Sequence, residues 1–236
     1  MLRIIFIVFI SSIHFLGQSQ GLTGDQLLQN AIAYHDPNNN WPTFNWVFMV
    51  TMETPKKSER KSKVKINLPE QVFSLTVNQE EVSLEYILKG KDCKLRLNGA
   101  EEISETQKKT FNLNCDRALM MKNYYTYLYG LPMKLKDPGT IIDPKVNRRK
   151  FKNKEYLVLK VNYSEDVGGD SWYFYFDPLT YAMEIYQFFH DESKNDGEYI
   201  LLSGEETINN IKMPKTRAWY YNKDNGYLGT DILSKE

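Results

Sequence analysis

Two histidine-aspartate steps are the places where this chain could do acid-base or metal chemistry: Tyr34-His35-Asp36 and Phe189-His190-Asp191-Glu192. Histidine titrates near neutrality and is a common metal ligand, so each step calls for a geometric test. On a strand, neighbouring side chains point to opposite faces, and His190 and Asp191 could not then serve one centre. In a turn they could, and with Asp170 or Glu198 they would make a His-carboxylate cluster of the kind a hydrolase uses as general acid and base. The simpler reading is a histidine at a strand end hydrogen-bonded to a carboxylate for structural reasons. Ser203-Gly204-Glu205 and Gly169-Asp170-Ser171 have no glycine pattern of a nucleophile elbow, and no phosphate or dinucleotide cradle is present. No metal site and no cofactor are expected.

Cys93 and Cys115 are the only cysteines. Closing a loop of about 23 residues would stabilise the fold by roughly 3 kcal/mol in the chain-entropy model, and a disulfide is expected. The strongest turn signal between them is Asn98-Gly99. A tight turn there would place Ser104 opposite Cys93, so the bridge would have to join non-adjacent strands or run from a strand end to the following helix.

The elements that must carry these residues are mostly strands. Within residues 171–189, nine of nineteen residues are aromatic. Alternation sends Trp172, Phe174 and Phe176 to one face and Tyr173 and Tyr175 to the other. The break at Asp177-Pro178-Leu179-Thr180 lets 181–189 return antiparallel. Period-two runs recur about every ten residues, from Phe44, Trp46, Phe48, Val50 and Met52 through stretches near Val64, 72–77, 82–88, Leu95, Phe111, 156–163, 198–202 and 216–221. Lys61, Lys63 and Lys65 alternate with Ser62, Val64 and Ile66, the pattern of a strand with one wet face.

Two helices are expected. Thr23 and Gln26 have the spacing of a capping box, and Asp36-Pro37 ends that helix. A second runs over 116–130, with Asp116 as its cap, Gly130 as its stop, and Met120, Met121, Tyr124 and Tyr127 on a surface suited to an adaptable lid. The turn at Asp137-Pro138-Gly139-Thr140 would be its rim. The fold class is therefore mainly β: a strongly curved antiparallel sheet or half-open barrel of about eleven strands with two helices at the mouth. The inner face is either a packed core or the wall of an apolar ligand cavity.

Residues 1–20 have the layout of a secretory signal: Arg3, an apolar run over 4–16, then Gly17-Gln18-Ser19. That run is shorter than the roughly 20 residues needed to span a bilayer, and no cysteine stands at the cleavage site. The expected product is a soluble exported domain, 21–236, with no integral membrane segment after cleavage. With 30 basic and 30 acidic residues the chain has no global field for nucleic acid.

The segments YGLPMKLKDPGT (129–140), GGDSWYFYFDP (168–178), YQFFHDES (186–193), DGEYI (196–200) and PKTRAWYYNKDNGYLGTDIL (214–233) resemble an exported domain-of-unknown-function family of Gram-negative bacteria. Its shape is similar to the periplasmic outer-membrane lipoprotein carrier, a half-barrel with helices as a lid over an apolar cavity. The resemblance implies a periplasmic, non-catalytic, monomeric binder of a lipid, acyl chain or lipid-modified protein. Residues expected at the ligand are Trp46, Phe48, Tyr124, Tyr127, Met133, Trp172, Phe174 and Phe176. The alternative is a periplasmic hydrolase using His190, Asp191, Asp170 and Glu198.

Overall fold

The structure, a computed structural model, describes residues 21–165 and 167–236. The expected secretory signal lies outside the described residues. Helix α1 spans Gly24–His35 and opens on a complete capping box: Thr23 Oγ1 accepts the Gln26 N–H, and Gln26 Oε1 accepts the Thr23 N–H. Leu27, Leu28 and Ala31 on its inner side are buried. The start of α1 touches backbone, for a Cβ on Gly24 would stand 2.1 Å from the Asp143 carbonyl oxygen. Beyond its end, Asp36 accepts the N–H groups of Asn40 and Trp41, both at 2.8 Å, and turns the chain into the sheet.

Thirteen strands follow, all in antiparallel pairs within one curled, unclosed sheet. The first limb is a meander: β1 Asn45–Thr54, β2 Lys57–Asn67, β3 Val72–Gln79, β4 Val82–Lys89 and β5 Asp92–Leu97. Helices α2 (Glu105–Thr110) and α3 (Cys115–Gly130) then lead to the far edge, where β6 (Thr140–Ile142) and β7 (Asn147–Phe151) lie end to end along β8 (Lys154–Tyr163). The second limb returns through β9 (Ser171–Phe176), β10 (Met183–Phe189), β11 (Glu198–Ile208), β12 (Ile211–Tyr221) and β13 (Tyr227–Lys235). Pairing of β13 with β1, from Phe48 with Lys235 to Glu53 with Thr230, joins the two limbs.

The strand count exceeds the expected eleven for identifiable reasons. Phe111, expected on a strand, instead caps the end of α2, which starts at a second capping box between Ser104 and Gln107. The strands β6, β7 and β13 have weak period-two patterns. In β13 the inward positions are held by Gly229 and Asp231 as well as Leu233, which masks the alternation.

Helix α3 also starts earlier than expected. Asn114, in extended backbone, accepts the Arg117 N–H at 2.7 Å and is the cap, so Asp116 falls in the first turn. Its end is a β-region residue, Leu131. Gly130 is required there for space, because a Cβ would stand 2.3 Å from the Trp41 ring. The disulfide ties Cys93 of β5 to Cys115, the first residue of α3, with Cα atoms 6.0 Å apart. Asn98 and Gly99 both have positive φ and make the tight turn that the strand-to-helix arrangement requires. Helix α3 is thus anchored at both ends, like a strap across the inner face.

That inner face carries the core. Phe48, Val64, Ile66, Phe73 and Leu75 of the first limb meet Phe174, Phe176, Tyr186 and Ile200 of the second, with Leu27, Leu28, Tyr125, Leu128 and Tyr129 from the helices between them. Lys61, Lys63 and Lys65 are exposed while Ser62, Val64 and Ile66 are buried, as the alternation in β2 requires.

Candidate functional site

The hairpin of β9 and β10 builds the most aromatic part of the inner face. Its turn is set by Asp177, whose Oδ1 accepts the N–H groups of Leu179 and Thr180, both at 2.9 Å. Lys154 stands 2.7 Å from the same carboxylate and holds it well below the usual carboxylate range. With the turn fixed, Trp172 pairs with Phe188 and Phe174 with Tyr186. The Trp172 ring is 4.8 Å from Phe188, 5.9 Å from Phe174 and 6.2 Å from Tyr186, centre to centre. Tyr186 in turn meets Trp219 of β12 at 6.2 Å. Such offset and edge contacts add to the area term of burial.

Helix α3 touches this band on two sides. The Tyr127 ring lies 5.6 Å from Trp172 and its hydroxyl is hydrogen-bonded to Tyr163, while Tyr124 stacks over Trp219 at 6.5 Å. Between α3, the 137–140 turn and the start of β9 lies a cavity of about 620 Å³. Its apolar wall is Tyr127, Trp172, Tyr163, Leu68, Pro138 and Val167, and its rim carries Lys122, Lys134, Asp137 and Asp170.

The expected ligand residues divide into three groups. Tyr127 and Trp172 line the cavity. Phe48, Phe174 and Phe176 are fully enclosed, and Phe48 packs against the Tyr129 ring at 4.9 Å, so α3 fills the space between the limbs. Met133 is buried in the turn after α3. Tyr124 and Trp46 reach solvent, with Trp46 44% exposed at the beginning of β1 although in phase with Phe48. Position along the strand, which alternation does not report, separates Trp46 from the wall.

The His-carboxylate set converges only in part: His190 meets Asp170, while Asp191 turns away. His190 lies in solvent with its Nδ1 2.7 Å from Asp170 Oδ1, a hydrogen bond that raises its pKa. Asp191 turns back to accept the Ser193 N–H and hydroxyl and pairs with Lys194. Glu198 is shifted upward, chiefly by burial. Among the described residues no group of three or more His, Cys, Asp or Glu side chains is placed to hold a metal ion. His35 is structural: its Nδ1 is 2.7 Å from the Lys212 carbonyl oxygen and its Nε2 accepts the Met183 N–H at 2.9 Å. These two bonds define a neutral tautomer that pins α1 to β12 and β10, and burial lowers the His35 pKa.

Of the charged side chains in one further cluster, only Arg60 is visible in the sequence, within the basic run Lys56, Lys57, Arg60, Lys61, Lys63 and Lys65. Register places Arg60, Met52, Asp231, Arg217 and Leu202 in a single row across β2, β1, β13, β12 and β11. Arg217 is 1% and Asp231 3% exposed. The Arg217 guanidinium lies 4.1 Å over the Tyr129 ring and donates from Nη1 to the Pro214 carbonyl, yet its Nε has no partner among the described residues. Asp231 Oδ2 accepts the Trp219 Nε1–H at 3.1 Å, and among the described residues its Oδ1 and the Tyr129 hydroxyl have no partner. Burial pushes the Asp231 carboxyl upward. Native interiors leave few such groups unpaired. For Arg217 and Asp231 the only signal in the sequence is a charge in phase with buried positions: Arg217 follows Met213 at twice the strand period, and Asp231 precedes Leu233 by one.

A single antiparallel sheet curled around its helices and left unclosed defines the half-open β-barrel class. The chain belongs to a family of unknown function, DUF6503, whose match spans residues 3–236. No curated protein matches its sequence. Among solved structures it is similar to a LolA superfamily protein from Nitrosomonas europaea, at 11% identity and a TM-score of 0.54, over 90% of this chain and 92% of that one. A putative outer membrane lipoprotein-sorting protein domain from Vibrio parahaemolyticus aligns at 11% identity and a TM-score of 0.51, over 90% of each chain. A DUF1329 family protein from Desulfovibrio piger aligns at 8% identity and 0.50, over 89% of this chain and 91% of that one. At these identities the likeness establishes the fold.

Proposed function

We propose that this protein is a non-catalytic carrier that holds an apolar ligand between α3 and the inner face of β9 and β10. The observation that carries this reading is the 620 Å³ cavity walled by Tyr127 and Trp172, beside a helix that presents aromatic rings to both the band and the core. Pockets of this size with an aromatic wall and a few polar rim groups suit lipid-sized ligands. The ligand is a lipid, an acyl chain or the acyl groups of a lipid-modified protein. The similar folds of a LolA superfamily protein and a putative lipoprotein-sorting domain support that ligand class. On this reading residues 1–20 are removed on export and 21–236 act as one monomeric domain in the periplasm. Among the described residues no helix is long and apolar enough to cross a membrane.

Mass spectrometry of lipids extracted from protein purified without detergent tests the reading. A stoichiometric acyl species, depleted in Trp172→Ala, is the expected result. Lipid-free protein that also fails to bind an added fluorescent fatty acid would exclude it.

A further inference from the structure

The inner face has a second opening that shares no lining residue with the first. A hollow of about 570 Å³ is walled in part by Thr54, Lys56, Lys57, Arg60, Tyr221 and Tyr227. It adjoins another of about 450 Å³ whose apolar wall is Val77, Val82, Leu84 and Phe111. Lys56, Lys57, Ser58 and Gln79 line both, so the two form one trough with a cationic end and an apolar end.

The cationic end has three basic side chains and no carboxylate in its lining. The one acidic residue of the apolar end, Glu80, accepts a hydrogen bond from Ser58 Oγ at 2.9 Å. Arg60 Nε and Thr54 Oγ1, beside the cationic end, are buried with no partner among the described residues. Behind Arg60 the row runs through Met52 to Asp231 and the fully buried Arg217, which sets two guanidiniums against a single carboxylate. Three cations around an open hollow with no carboxylate in its lining favour an anion, and oxyanions match guanidinium geometry. The neighbouring apolar wall favours a hydrocarbon chain on the same molecule.

We propose that this trough binds a single-chain amphiphile with an oxyanion head, the head at Lys56, Lys57 and Arg60 and the chain along Val77, Val82, Leu84 and Phe111.

Calorimetric titration of the mature protein with dodecanoate, dodecyl phosphate, dodecanol and inorganic phosphate, all below micellar concentrations, tests the proposal. The two acidic amphiphiles are expected to bind at least about tenfold tighter than dodecanol, the size of one charge-assisted hydrogen bond. The double substitution Lys56→Gln with Lys57→Gln changes only exposed side chains at a hairpin turn, so the fold is retained. It should remove most of that preference and leave dodecanol unchanged, and Arg60→Gln should do the same. Lys91→Gln, an exposed lysine that lines neither the trough nor the first cavity, should leave the preference intact. Equal affinity for dodecanoate and dodecanol, or a preference that survives both cationic variants, would overturn the proposal. Inorganic phosphate binding as tightly as dodecyl phosphate would assign the cationic end to free oxyanions and overturn it as well. Loss of the preference in Trp172→Ala alone would place the acid head in the first cavity.

Discussion

The two faces of β8 to β12 are both rich in aromatic residues, yet only one is complete. On the outer face Tyr173 donates to Glu192 at 3.0 Å, Tyr175 to Gln187 at 2.7 Å and Tyr199 to Asn225 at 3.0 Å. Arg149 and Lys160 lie over the Tyr173 ring, and Lys152 over Tyr199 and Tyr220. On the inner face the Tyr129 hydroxyl and the Nε of Arg217 have no partner among the described residues, and a cavity opens beside Trp172. Water serves the outer rings where protein does not, so that face can be finished cheaply. An interior that leaves donors unpaired gives up about 1 to 3 kcal/mol for each, and such a deficit is concentrated where a ligand or a moving element supplies the missing partner.

The largest test of this contrast is Phe174→Ala. Phe174 is fully enclosed, and its truncation should cost about 3 to 5 kcal/mol in urea unfolding. Trp172→Ala, at the edge of the cavity, should cost distinctly less while weakening apolar ligand binding. Equal losses would mean that Trp172 is ordinary core. Gly130→Ala comes next. The added methyl collides with Trp41, and a loss of about 1 to 3 kcal/mol is expected together with faster hydrogen exchange along α3. A neutral outcome would show that the strap is not held at that end.

A pair of single-atom deletions then compares the faces directly. Tyr175→Phe removes a made hydrogen bond and should cost about 0.5 to 1.5 kcal/mol, whereas Tyr129→Phe removes an unpaired hydroxyl and should be neutral or stabilising. The opposite order would refute the assignment of an incomplete inner face. The smallest effect concerns pH. Burial lowers the His35 pKa below its ordinary 6.5, so the native state binds fewer protons than the unfolded chain. The stability this contributes is present above pH 6.5 and is lost as pH falls below it. His190, raised by Asp170, acts with the opposite sign, but it is exposed and its contribution is small. Urea midpoints should therefore fall on mild acidification. A rise over that range would mean that His190 and the upward-shifted carboxyls of Asp231 and Glu198 outweigh His35.

Local signals in the chain were sufficient for several elements. The Thr23/Gln26 box starts α1, the break at Asp177-Pro178 turns β9 into β10, and the alternation around Lys63 orients β2. The bridge from Cys93 to Cys115 was expected because they are the only pair, and the Asn98-Gly99 turn left two routes for it, between non-adjacent strands or from a strand end to the following helix, of which the second is found. Each is a property of a few neighbouring residues, which is where backbone preference and side-chain period act. The short helix at Ser104, the true cap at Asn114 and the interrupted edge of β6 and β7 were harder to read, because competing patterns overlap within a few positions.

By itself, then, the sequence determined a β-rich chain of meandering strands, two principal helices, a disulfide and an aromatic hairpin with two unlike faces. Only the tertiary structure decided which face is inner, that Trp46 lies outside the wall, and that α3 fills the space between the limbs. It also decided the row from Arg60 to Arg217, which exists because β13 pairs with β1 and so brings strands from opposite ends of the chain into one register. Period two states which residues share a face of one strand; which strand lies beside it depends on non-local pairing, and no spacing along the chain encodes that.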